Sequence, residues 1–137
     1  MYRFSGPVAT QRKQLMKKTL AALAVAATVM LGLAACSAPV DSIEVSASTV
    51  VVDVRTPSEY GAGHLDGAIN VDLQSTTFDT DISALPMDGD YVVYCASGNR
   101  SAAAVARMTD LGFTGLTDAH GISDAAASTG LAIVAAP

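Results

Sequence analysis

Past residue 35 this sequence contains no lysine, and its only cations there are Arg55, Arg100 and Arg107, whereas all thirteen aspartates and glutamates lie beyond that point. Three arginines against thirteen acids give residues 36–137 a formal net charge of −10, compared with −5 for the whole chain. So few cations, spread so thinly, exclude nucleic acid and anionic lipid headgroups as electrostatic partners. Cysteine is scarce as well: only Cys36 and Cys95 occur. No grouping of histidine, cysteine and acid has metal-ligand spacing, so no metal site is expected. Internal repeats are lacking, and no apolar run reaches the roughly 20 residues that a spanning helix needs.

The N-terminal third has its own logic. Lys17-Lys18, the uncharged run Thr19 to Ala35 and then Cys36 follow the layout of an export signal. Leu33-Ala34-Ala35-Cys36 resembles the bacterial lipobox, in which the cysteine is lipidated and becomes the new N-terminus. Residues 1–35 are therefore read as a lipoprotein-type signal peptide and 36–42 as a flexible tether, with a domain over 43–137. The product would be exported and lipid-anchored at the cell membrane, facing the periplasm or the exterior, and would touch the membrane through that anchor only. Two acyl chains hold a protein stably where one binds marginally. An ordinary cleaved signal and a retained helix remain as alternatives, and translation starts at either Met1 or Met16. With Cys36 capped by lipid, Cys95 has no partner for an intrachain disulfide, despite the oxidising compartment that export implies. The 102 residues left after cleavage suffice for one compact domain.

Strand and helix signals alternate along that domain. Val50 to Val54 is a continuous β-branched run with the pattern of a strand buried on both faces. Short strands are also expected at Ile43-Glu44-Val45, Ala68 to Asp72, Tyr91 to Tyr94 and Gly115-Leu116-Thr117. Thr56-Pro57-Ser58-Glu59 predicts a helix start, with Thr56 as N-cap, Pro57 first in the helix and Glu59 completing a capping box; Gly61 and Gly63 end it. Helices follow over Asp79 to Leu85, Ser101 to Leu111 and Ser123 to Ser128. The order predicts an α/β fold, a parallel sheet flanked by helices on both faces, with ligands taken at the C-terminal ends of strands.

One such end carries Cys95-Ala96-Ser97-Gly98-Asn99-Arg100-Ser101, between a strand and an alanine-rich helix. Backbone N–H groups and the positive end of a helix favour a thiolate there, so the Cys95 pKa should fall. Gly98 gives the loop its conformational freedom, Ser101 is expected to cap the helix, and Arg100 supplies a cation for an oxyanion beside the sulfur.

That loop, together with Asp53-Val54-Arg55-Thr56-Pro57-Ser58-Glu59-Tyr60 and Gly63-His64-Leu65-Asp66-Gly67-Ala68-Ile69-Asn70, resembles a single-domain sulfurtransferase of the rhodanese family. The resemblance implies that Cys95 attacks the outer sulfur of a donor such as thiosulfate, keeps it as a persulfide and passes it to a thiophilic acceptor. Ala96, Ser97, Gly98, Asn99, Arg100 and Ser101 would bind the departing oxyanion and steady the persulfide. No cofactor is implied beyond that covalent intermediate. The expected partners are a small sulfur-containing anion and an unidentified thiol or protein acceptor, acting on a monomer. Asp53, Arg55 and Glu59 are assigned supporting roles, with Arg55 and Glu59 spaced for a helical contact. His64 is read as a turn residue and His120 as a surface or packing residue.

Two departures from the family pattern stand out. Ala119-His120-Gly121 occupies the place of a usual paired glycine, with no tryptophan after it, and the helix common between the first two strands has no counterpart in Ser46-Ala47-Ser48-Thr49. Four residues separate Cys95 from Arg100, one fewer than in the related cysteine phosphatases, which favours sulfur over phosphate chemistry. A persulfide carrier without turnover and a thiol-redox module remain as alternatives; a cysteine phosphatase stands further off.

Overall fold

A computed structural model describes residues 41–135. The expected signal segment and Cys36 lie outside the described residues. Four strands form a parallel sheet in the order β3-β1-β4-β5: β1 (Val50–Asp53), β3 (Ile69–Asn70), β4 (Asp90–Cys95) and β5 (Gly115–Gly121). Helices α1 (Pro57–Ala62), α2 (Phe78–Ile82), α3 (Asn99–Asp110) and α4 (Ile122–Thr129) fill the connections and the C-terminal side.

The β-branched and aromatic runs become central strands because both of their faces find cover. Alternate residues of β4 point to opposite sides: Tyr91, Val93 and Cys95 join Phe78 and Ile82 of α2 and Met108 of α3, while Val92 and Tyr94 join Leu65, Ala119 and Ala125 of α4. Helices thus close both faces of the sheet, as the alternation of elements predicts. Full burial of side chains such as Phe78 and Ile82 contributes roughly 1.5–3 kcal/mol each.

Helix α1 starts as its sequence dictates. Thr56 Oγ1 accepts the Glu59 N–H at 3.3 Å, and Glu59 Oε2 accepts the Thr56 N–H at 3.0 Å. The remaining differences from expectation have identifiable causes. Ile43-Glu44-Val45 forms no strand: the Ile43 N–H donates to the Ser128 carbonyl at 2.9 Å, and Ser46 and Thr49 bond each other through backbone and hydroxyls, folding the segment into a turn. His64 belongs not to a turn but to strand β2 (His64–Leu65), antiparallel to β6 (Ile133–Val134). Its ring stacks on Tyr60 at 3.8 Å between centroids, and Nδ1 donates to the Tyr60 carbonyl at 3.0 Å. Helix α2 spans Phe78–Ile82 instead of reaching Leu85, and β5 runs on to Gly121 through residues too small and polar to announce a strand.

Candidate active site

The C-terminal end of β4 delivers Cys95 between β1 and β5. Its residue is 0% exposed, whereas Ala96, Ser97 and Asn99 above it face solvent. Gly98 adopts φ 97° and its N–H donates to Cys95 Sγ at 3.0 Å. Burial pushes the Cys95 thiol up, but hydrogen bonds from the Ser101, Ser97 and Gly98 N–H groups outweigh it and leave the thiol below its ordinary value. A ring of donors around one sulfur is an anion cradle, and it serves a thiolate, a persulfide or an oxyanion alike.

Helix α3 begins at Asn99, two residues before the expected start. Ser101 is therefore not its cap: its hydroxyl donates to the Gly98 carbonyl at 3.0 Å and approaches the His120 carbonyl at 3.3 Å, tying the loop to β5. The cap position belongs to Gly98, whose left-handed backbone aims the N–H at the sulfur. In Gly98→Ala the added Cβ costs about 1–2 kcal/mol of backbone strain and would lie 3.4 Å from His120 Cβ. As the loop relaxes, the pH midpoint for alkylation of Cys95 by iodoacetamide should rise by roughly one unit. An unchanged midpoint would detach Gly98 from thiolate stabilisation.

Opposite the cradle, β4 and β5 pair in register from Asp90↔Gly115 to Val93↔Asp118 and resume at Cys95↔Gly121, leaving a bulge that contains His120. His120 has φ 62°, the left-handed region where glycine is usual. Gly121 answers a different need: a Cβ there would lie 2.9 Å from the Ala96 carbonyl oxygen, so the nucleophile loop can pack against β5 only if that residue is glycine. His120 is exposed, lies beside Gly98 so that a Cβ added there would come within 3.4 Å of it, and has Nδ1 3.6 Å from Asp118 Oδ2.

The arginines divide differently from expectation. Arg55 does not meet Glu59. It binds Asp53 through Nε at 3.0 Å and through a terminal nitrogen at 2.6 Å, donates to the Gly63 carbonyl at 2.6 Å, and lies 5.7 Å from the Tyr94 ring centroid. Asp53 is fully buried and Arg55 nearly so, which makes them the ion pair beneath the strand ends. Glu59 instead receives both terminal nitrogens of Arg100, at 2.8 and 2.7 Å. Arg100 is thus not a free cation over the sulfur: its charge reaches Cys95 but is shared with a carboxylate. The hydrogen bonds from Arg100, despite some burial, hold the Glu59 carboxyl at about 2, with Thr56 contributing.

A strand-loop-helix cradle around one cysteine in a parallel sheet defines a geometry that known proteins share. Residues 38–121 match the model of the rhodanese-like domain. The chain belongs to the rhodanese-like family. Its domain is 35% identical over 86 residues to thiosulfate sulfurtransferase PspE of Escherichia coli strain K12, covering 62% of this chain and 82% of that protein. A sulfurtransferase of Allochromatium vinosum is 35% identical over 86 residues, covering 63% of this chain and 78% of the other. Among solved structures, a rhodanese with anions from E. coli superposes with a TM-score of 0.55 at 26% identity, over 64% of this chain and 99% of that one. A rhodanese-related protein from Thermoplasma volcanium gives 0.54 at 31% identity, over 69% and 97%. The rhodanese-like assignment therefore spans the sheet, the nucleophile loop and the Glu59–Arg100 pair.

Proposed function

We infer that this protein is a sulfurtransferase that carries sulfane sulfur on Cys95. The carrying observation is the sulfur itself: a buried thiol held below its ordinary pKa by N–H donors, in a loop whose Cys95 and Arg100 stand four residues apart. Thiosulfate, the substrate in the names of relatives, serves as donor. The Cys95 thiolate attacks its outer sulfur, the S–S bond breaks and sulfite departs with the electron pair, leaving Cys95 as an anionic persulfide. Ser97, Gly98 and Ser101 N–H groups steady that anion, and Ala96 and Asn99 complete the rim. A thiophilic acceptor then removes the sulfur and regenerates the thiolate. No resident cofactor enters this cycle, and the acting unit is a single copy.

Sequence supports a place for this chemistry. The lipobox-like Leu33-Ala34-Ala35-Cys36 favours export and anchoring through a lipidated Cys36, followed by a short tether to the domain. Acyl mass on an N-terminal Cys36 peptide is the expected finding; a mature protein starting elsewhere would remove the anchor.

The function is tested by mass spectrometry of the reductant-free protein before and after thiosulfate. One added sulfur atom should appear on Cys95 and should leave with cyanide. The same preparation should not hydrolyse aryl phosphates, because a tetrahedral phosphoryl group needs a wider ring of amides. Phosphatase activity without sulfur loading would overturn the reading.

A further inference from the structure

Every arginine among the described residues is already matched by a carboxylate: Arg55 by Asp53, Arg100 by Glu59 and Arg107 by Asp79. This happens in a stretch, residues 41–135, that carries thirteen acids and three arginines. Around Cys95 the positive potential therefore comes from backbone N–H groups, with Arg100 largely cancelled by its bidentate partner. Glu59 is well placed for this, since the capping box fixes it from below: Oε2 accepts both the N–H and the hydroxyl of Thr56, at 3.0 and 2.9 Å.

We propose that Glu59 is a positioning residue that sets the charge preference of the site: by holding and neutralising Arg100 it disfavours dianionic donors and favours those of lower charge, such as an organic persulfide or a monoanionic thiosulfonate. With a persulfide R–S–SH, the Cys95 thiolate attacks the outer sulfur, the S–S bond breaks and R–S⁻ departs. The new Cys95–S–SH then yields its proton to that thiolate, giving R–SH and the anionic Cys95 persulfide. This rests on the sulfur-transfer reading, yet the charge effect can be measured without it.

The test compares two matched pairs of reagents on the wild type and on Glu59→Gln. Glutamine at this position still completes a capping box, so the helix start is retained. In the first pair, methanethiosulfonate and thiosulfate present the same sulfane sulfur on one and two negative charges. The wild type should prefer the monoanion in kcat/KM, and Glu59→Gln should shift the ratio toward thiosulfate by roughly 3- to 10-fold, mainly through KM. In the second pair, iodoacetate and iodoacetamide have the same reach and differ in charge, so the enclosure of Cys95 slows both alike. Their rate ratio should move toward iodoacetate by a similar factor in the variant. Unchanged ratios in Glu59→Gln would overturn the proposal. If the alkylation ratio shifts while neither sulfur donor loads Cys95, the charge role of Glu59 stands and the sulfurtransferase reading is what fails.

Discussion

Cys95→Ser is expected to abolish sulfur loading and to lower thiosulfate:cyanide activity by at least about 10³-fold. The substitution leaves the strand, the Gly98 turn and the N–H donors in place and removes only the atom that can form a persulfide. A serine hydroxyl is not ionised near neutral pH and makes no stable bond to sulfane sulfur, so binding of the donor survives while transfer does not. Intact-mass analysis after thiosulfate and steady-state thiocyanate formation check the two halves of this statement. A serine variant that transfers sulfur at the wild-type rate would reassign the nucleophile.

The largest stability effect is expected at Arg55. Asp53 is 0% exposed and takes hydrogen bonds from the Arg55 backbone N–H at 2.9 Å and from its guanidinium. Arg55→Met leaves that carboxylate buried without a counter-charge, which costs about 3–5 kcal/mol. In a domain this small, such a loss lowers Tm by roughly 12–40 °C. The double variant Asp53→Asn, Arg55→Met removes both charges and should recover most of the loss, because the penalty lies in the orphaned charge rather than in the missing attraction. Thermal melts of the three proteins decide it. A double variant no better than Arg55→Met would point to lost guanidinium packing on Tyr94 instead.

Sequence carried the site's centre better than its electrostatics. Thr56-Pro57-Ser58-Glu59 states its own capping box, and Tyr91 to Tyr94 followed by Cys95 states a strand ending in a nucleophile, since each is decided by neighbours within a few residues. The partner of Glu59 could not be read that way. Local spacing offers Arg55, but Asp53 lies two residues from Arg55 on the same strand end and holds it, so Glu59 turns to Arg100, 41 residues away. Ser101 misled for a similar reason: a hydroxyl near a helix start suggests a cap, whereas Gly98 takes that place and Ser101 fastens the loop to β5. The Ile43 to Val45 segment has strand-forming residues, but its backbone bonds to the end of α4.

Complete enclosure of Cys95 keeps its thiol away from the thiols of other molecules. A disulfide between two copies would need their β-carbons about 3.8 Å apart, which the loop over each buried sulfur obstructs. Bulky mixed disulfides meet the same obstruction. A sulfur atom at the tip of a slender stem needs far less room than a second thiol on a protein, so the same enclosure opposes cross-linking more than sulfur transfer.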